Sequence, residues 1–115
     1  MLTLHGIPNC DTIRKARKWL TEHDLDYTFH DYRKDGVPKT ALKKWCAELG
    51  WEKVLNRRGT TWRKLDEKTK SSINQSKALQ LMQEHPAMIK RPLLVDGDDL
   101  ILGFKAEHYA EHFNV

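Results

Sequence analysis

Apolar and polar positions alternate through Leu2-Thr3-Leu4-His5-Gly6-Ile7, which predicts a β-strand that Pro8 stops. The period then changes. Ile13, Ala16, Trp19 and Leu20 fall at helical spacing and predict a helix over about residues 10–22. Asn9 is the expected N-cap, and Asp11 adds negative charge to the first turn. Alternation returns in Leu25-Asp26-Tyr27-Thr28-Phe29-His30, a second strand. Strand, helix and strand in so short a span form a βαβ unit, whose strands should be parallel and joined by a right-handed crossover.

Residues 31–38 are polar and contain Gly36 and Pro38, so a loop is expected. Leu42, Trp45, Cys46 and Leu49 share one face of a helix that Gly50 ends. Residues 54–62 have no clean period and read as a short turn and loop, and residues 66–73 fit a short helix. Ser76 is the expected cap of a further helix through Leu79, Met82 and Gln83, ended by Pro86. Leu93-Leu94-Val95 and Leu100-Ile101-Leu102 flank Asp96-Gly97-Asp98-Asp99, the pattern of a hairpin. A last helix from about Lys105 is expected to bury Ala106, Tyr109, Ala110 and Phe113. The order β-α-β, a helical stretch, then α-β-β-α is that of an α/β chain with a thioredoxin-like fold and a helical insertion.

Composition narrows the class. A length of 115 residues suits one domain, taken as residues 1–115, and 39% hydrophobic content supports a modest core. No run approaches the roughly 18 apolar residues that a membrane span needs. The N-terminal Met1-Leu2-Thr3-Leu4-His5-Gly6 has no secretory pattern, so a cytoplasmic location is expected. The net charge of +4 comes from bases interspersed with acids, which reads as a mixed solvated surface rather than a nucleic-acid footprint. No heptad pattern argues against a monomer.

Two cysteines are too few for a disulfide framework and lack the clustering of a zinc site. Cys10 opens the first helix, where free N–H groups and the helix dipole favour a thiolate. Arg14 and Lys15 lie about one turn on and add to that field. The alternative is an inert Cys that packs as a small hydrophobe. Cys10-Asp11-Thr12-Ile13 lacks the second Cys of a C-x-x-C pair, and Cys46 sits on an apolar face as a structural residue. A reactive Cys10 would therefore need a small thiol such as glutathione to resolve it. Arg57-Arg58-Gly59 is a basic loop, and arginine's fork suits an oxyanion or carboxylate, although a solvated loop charge is the plainer reading. Arg91-Pro92 precedes a strand, where proline is tolerated in either isomer. The six histidines are scattered; His108 and His112 are four apart, but no matching ligands accompany them, so no metal is expected. Gly-rich phosphate loops and G-x-S-x-G elbows are absent.

Three blocks in order resemble the ArsC/Spx family, and within it the YffB branch. They are Asn9-Cys10-Asp11-Thr12-Ile13-Arg14-Lys15-Ala16, Asn56-Arg57-Arg58-Gly59-Thr60-Thr61-Trp62-Arg63-Lys64-Leu65, and His85-Pro86 through Lys90-Arg91-Pro92-Leu93. The resemblance implies the thioredoxin-like fold and makes Cys10 the redox cysteine. It implies that Arg58 (or Arg57, if the alignment slips by one) and Arg91 hold anionic groups, with Arg14 and Lys15 adding charge. Asn9 and Pro92 would shape the site, with Pro92 the family's cis-proline. The third arginine of the arsenate reductases has no counterpart in Leu102-Gly103-Phe104-Lys105, and a lysine does not reproduce its fork. The function so implied is a glutathione-dependent thiol oxidoreductase, with glutathione as co-substrate, no tightly bound cofactor, and glutaredoxin a further candidate partner. Two alternatives accompany it: an Spx-like transcriptional regulator that binds RNA polymerase, and a true arsenate reductase. Spx-like regulators usually carry C-x-x-C, whereas Ile13 occupies the second position here.

Overall fold

Two short runs of alternating residues and a hairpin meet in one mixed sheet, in a computed structural model that describes residues 2–115. Strand β1 is Leu2–Gly6, helix α1 Asp11–Glu22 and strand β2 Thr28–Asp31. Strands β3 (Leu93–Asp96) and β4 (Asp99–Leu102) form the hairpin, and α8 (Ala106–Phe113) follows. The four strands lie in the order β2-β1-β3-β4. β1 and β2 are parallel, with His5 opposite His30 and Gly6 opposite Asp31. β3 is antiparallel to β1, with Leu4 opposite Leu94 and His5 opposite Leu93. This is the thioredoxin-like arrangement expected from the element order.

The chain divides into two compact units. One comprises Met1–Asp35 and Arg91–Val115 and holds the sheet; the other is Gly36–Lys90, the helical insertion. In the first, Leu2 and Leu4 project from one face of β1 onto Ala16 and Leu20 of α1, Leu94 of β3 and Tyr109 of α8. Burying these side chains supplies the unit's main hydrophobic stabilisation, on the order of 1.5–3 kcal/mol for each large residue. His5, one step along β1, projects to the opposite face. His112 Nε2 lies 2.8 Å from Asp96 Oδ2 and ties α8 to the hairpin, whose tight turn places Gly97 at φ +60°.

Several boundaries depart from the sequence expectation for identifiable reasons. The second strand starts at Thr28, not Leu25, because Leu25 serves the end of α1. Asp24 sits at φ +56°, its N–H donates to the Thr21 carbonyl, and the Leu25 N–H donates to the Leu20 carbonyl. That pair of bonds is a Schellman stop, with Asp in the place glycine usually takes. Residues 32–35, expected as loop, form a helical turn, α2 (Tyr32–Asp35), because Asp31 Oδ1 accepts from the N–H groups of Arg33 and Lys34. Ala106 is exposed rather than buried; Tyr109 is the buried residue of α8, with Ala110 and Phe113 partly covered.

In the second unit, α3 (Lys39–Leu49) buries Leu42, Trp45 and Cys46 and stops at Gly50 as its pattern predicts. Residues 54–62 contain more helix than expected, as α4 (Trp51–Val54) and α5 (Thr60–Arg63) occupy most of the span around them. Leu55, buried, pairs with Ile89 in an isolated bridge. α6 (Glu67–Ser71) is capped by Asp66. α7 (Gln75–Glu84) is capped by Asn74, whose side chain accepts from the Lys77 N–H, and not by Ser76, which is exposed inside the first turn. A 3-10 turn, Pro86–Met88, leads back towards β3.

Candidate active site at the start of the first helix

Cys10 is the N-cap of α1, with extended φ −121° and ψ 131°. Asn9, expected in that role, lies one residue outside the helix and is exposed. The shift matters chemically, because it puts the thiol at the helix start beside the free amides of the first turn, although its side chain makes no capping hydrogen bond. Burial disfavours the Cys10 thiolate, but the N–H groups of Ile13 and Thr12 and the Arg91 guanidinium outweigh it. The net effect lowers the Cys10 pKa below the ordinary thiol value. Cys46 differs: it is 3% exposed, and burial pushes its pKa up. Both thiols are free.

The helix start packs against the end of β1 beside a residue with no side chain. A Cβ at Gly6 would overlap Ile13 Cδ1, so glycine here leaves room for the Ile13 side chain as it is packed. Ile13 is fully buried there, and its N–H is one of the two that face the sulfur. The Cβ of Arg91 also lies 3.8 Å from the same Gly6 Cβ position. Ile13 and Arg91 thus both pack beside Gly6 at the end of β1, Arg91 in ordinary van der Waals contact. The Arg91–Pro92 bond is cis, and Pro92 is buried at the entry to β3, where its carbonyl accepts from the Gly103 N–H at 2.8 Å.

The remaining expected site residues are placed as follows. Arg14 is exposed and pairs with Asp11, and Lys15 is exposed on the same helix. The cation that helps to lower the Cys10 pKa is Arg91, whereas the sequence pointed to Arg14 and Lys15 as the source of the local field. Arg58 belongs to the second unit. There it is exposed, with its N–H donating to Asn56 Oδ1, beside a pocket of about 200 Å³ lined by Glu52, Leu55, Asn56, Arg57, Arg58 and Lys90. Arg57 lies over the rings of Trp51 and Trp62, 5.4 and 5.8 Å from their centroids. Lys105 is exposed at the N-cap of α8. Among the described residues, no trio of His, Cys, Asp or Glu could hold a metal ion, and no helix is long and apolar enough to cross a membrane.

Two residues at this site escaped the sequence reading. His5 is 8% exposed; burial first and His30 second bring its pKa down to about 4, against an opposing hydrogen bond to the Leu93 backbone. Tyr32 is 1% exposed, its ring centroid 6.1 Å from that of His5 and 5.9 Å from that of His30. Burial raises the Tyr32 pKa above the ordinary phenol value, opposed by the nearby Arg91 charge. The available signal was slight: one aromatic residue inside an otherwise polar stretch.

Comparison with known proteins identifies the family and the fold. The solved structure of the YffB protein superposes with a TM-score of 0.92 at 50% identity, covering 96% of this chain and 97% of that one. An uncharacterised protein of Haemophilus influenzae is 41% identical over 113 residues, 98% of this chain and 99% of that protein. The global transcriptional regulator Spx of Staphylococcus aureus is 30% identical over 111 residues, 93% of this chain and 82% of that protein. The sequence profile of the ArsC family matches residues 5–112, and the chain belongs to the ArsC family.

Proposed function

We propose that the chain is a glutathione-dependent thiol oxidoreductase of the cytoplasm, with Cys10 as its single nucleophile. The observation that carries this reading is a thiol at the N-cap position of α1 with the Arg91 guanidinium near enough to help lower its pKa. A thiolate held in this way attacks sulfur, whereas the buried Cys46 thiol is inert. In a mixed disulfide of substrate and glutathione, the Cys10 thiolate attacks the glutathione sulfur. A Cys10–glutathione disulfide forms, the substrate S–S bond breaks, and the substrate leaves as its thiolate. A second glutathione thiolate then attacks the glutathione sulfur of that adduct, which releases the Cys10 thiolate and oxidised glutathione. Arg91 holds an anionic group of the tripeptide, Lys15 and Arg14 add positive charge, and Asn9 and Pro92 shape the approach; the family resemblance gives Arg58 an anion-holding role as well. Glutaredoxin can stand in for the second glutathione, since its thiolate performs the same exchange.

The test is the mass of the intact protein after exposure to oxidised glutathione, followed by peptide mapping. One glutathione on Cys10 is the expected result. A Cys10–Cys46 bridge, or an adduct confined to Cys46, overturns the reading.

A second reading, an Spx-like regulator that binds RNA polymerase, has the similarity to Spx in its favour. Cys10→Ser separates the two: an oxidoreductase loses turnover, while a redox-independent binder keeps its partner. Reduction of arsenate is the weaker enzyme reading, because Lys105 stands near the place of the arsenate reductases' third arginine.

A further inference from the structure

The chain's positive charge is unevenly shared. The helical insertion, residues 36–90, carries twelve of the twenty Lys and Arg but only five of the sixteen Asp and Glu, a net +7. The other unit carries the remaining eight bases and eleven acids, a net −3, and the two together make the chain's +4. Charges that look interspersed along the whole sequence are thus sorted between the two units.

The cations of the insertion also lack acidic partners. Among the described residues, only Lys44 (to Glu48) and Lys70 (to Glu67) of those twelve make an ion pair. The excess is densest from the end of α4 through α6, where Arg57, Arg58, Arg63, Lys64 and Lys68 are exposed. Uncharged groups help to hold this segment in place. Arg57 lies over the rings of Trp51 and Trp62. Arg63 Nη2 donates to the Arg58 carbonyl at 2.7 Å, and Lys70 Nζ donates to the Arg63 carbonyl at 3.1 Å. A carbonyl or an aromatic ring carries no formal charge, so the segment is fixed while its positive field is kept. Such preorganisation lowers the ordering cost of binding.

Unpaired like charges repel one another in the isolated protein, and an anionic partner turns that repulsion into attraction. The acids left in the segment select the kind of partner. Glu52, Asp66 and Glu67 are exposed among these bases. They repel a uniform polyanion such as nucleic acid, whereas a protein surface can meet them with bases of its own.

We propose that the exposed cations of residues 57–68 are a docking surface for an acidic segment of a partner protein. Arg57, Arg63, Lys64 and Lys68 meet its carboxylates, and their field steers its approach. The proposal is independent of the reading of Cys10 as a redox nucleophile.

The experiment measures binding by fluorescence anisotropy at low salt with three labelled probes. One is a peptide rich in Glu and Asp with scattered Lys; the second is the same peptide with Gln and Asn in place of Glu and Asp; the third is single-stranded oligothymidylate of similar length. The acidic peptide is expected to bind more tightly than the other two, with an affinity that falls as salt is added. Lys64→Glu combined with Lys68→Glu should weaken it about tenfold, and the Lys64→Gln, Lys68→Gln pair by a smaller factor. Lys18→Glu combined with Lys34→Glu makes the same change of charge at exposed positions of the other unit and should leave the affinity in place. Far-UV circular dichroism checks that each variant is folded, and the Gln pair decides if the Glu pair is not. Failure of the acidic peptide to bind, equal binding of the neutralised peptide, or equal weakening by the two charge reversals overturns the proposal. Tighter binding of the oligothymidylate also overturns it and makes the surface one for nucleic acid.

Discussion

The Arg91 guanidinium helps to lower the pKa of the Cys10 thiol, although the two residues lie near opposite ends of the chain. The antiparallel pairing of β3 with β1, which sets Leu93 opposite His5, brings them together. A thiol at a helix start has two neutral donors in the amides of Thr12 and Ile13; Arg91 adds the formal charge.

Arg91→Ala should therefore raise the Cys10 pKa and slow alkylation near neutral pH by about tenfold, the scale of one hydrogen bond to a charged group. Arg91→Lys should recover part of the rate through its charge without the fork geometry. Rates of iodoacetamide labelling across pH check this. Equal profiles for wild type and Arg91→Ala would show that the helix start alone sets the acidity. Arg58→Ala should lower glutathione-linked turnover while the labelling profile stays in place.

Gly6→Ala should destabilise the protein by about 1–3 kcal/mol, the usual cost of forcing a methyl group into a filled space. The new Cβ meets Ile13, a fully buried residue of α1, so the helix must move or Ile13 must change rotamer. Urea unfolding gives the stability change. Because Ile13 also presents an N–H to the sulfur, alkylation of Cys10 should slow in the same variant.

Stability should fall as the medium is acidified from pH 6.5 to about 4. His5 ionises near 6.5 when unfolded, but burial and His30 hold it neutral in the fold down to about pH 4. Within that window the unfolded chain binds a proton that the folded chain does not, so stability declines as pH drops. The slope attributable to this residue approaches about 1.4 kcal/mol per pH unit. His5→Asn should flatten the curve between these limits, whatever its stability at pH 7.5. Denaturant midpoints at several pH values decide it, and a slope unchanged by the substitution would contradict the assignment.

Cys46→Ala should retain glutathione-linked turnover and lose about 1 kcal/mol of stability or somewhat more through the cavity it leaves. The side chain is 3% exposed on the inner face of α3, and burial keeps it protonated. A loss of turnover comparable to that of Cys10→Ser would make Cys46 the resolving thiol instead.

The strongly periodic elements were readable in the sequence. Ile13, Ala16 and Leu20 gave α1, and the apolar triplets around Gly97 gave the hairpin. The place of Cys10 at the start of α1 was readable too, since it depends only on a strand followed by a helix. The cap was misplaced by one residue because Asn9 has the stronger capping preference, while the chain enters the helix at Cys10. The start of β2 was misplaced because Leu25 looks like a strand residue and acts as the hydrophobic end of a helix stop. Tyr32 left no periodic trace, since its burial comes from tertiary packing beyond its own short turn. The approach of Arg91 to Cys10 could not be read from local pattern at all. Only the family resemblance brought that residue forward, because the contact depends on how β3 docks.

That long reach between Cys10 and Arg91 also has a consequence in time. Synthesis delivers Cys10 before the helical insertion and Arg91 only after the whole of it has been made. While the nascent chain is incomplete, β3 has not joined β1, and the thiol lacks the guanidinium's share of its acidity. The thiol is least acidic during the interval in which it is least shielded, and it gains its full acidity when the last strands close the sheet.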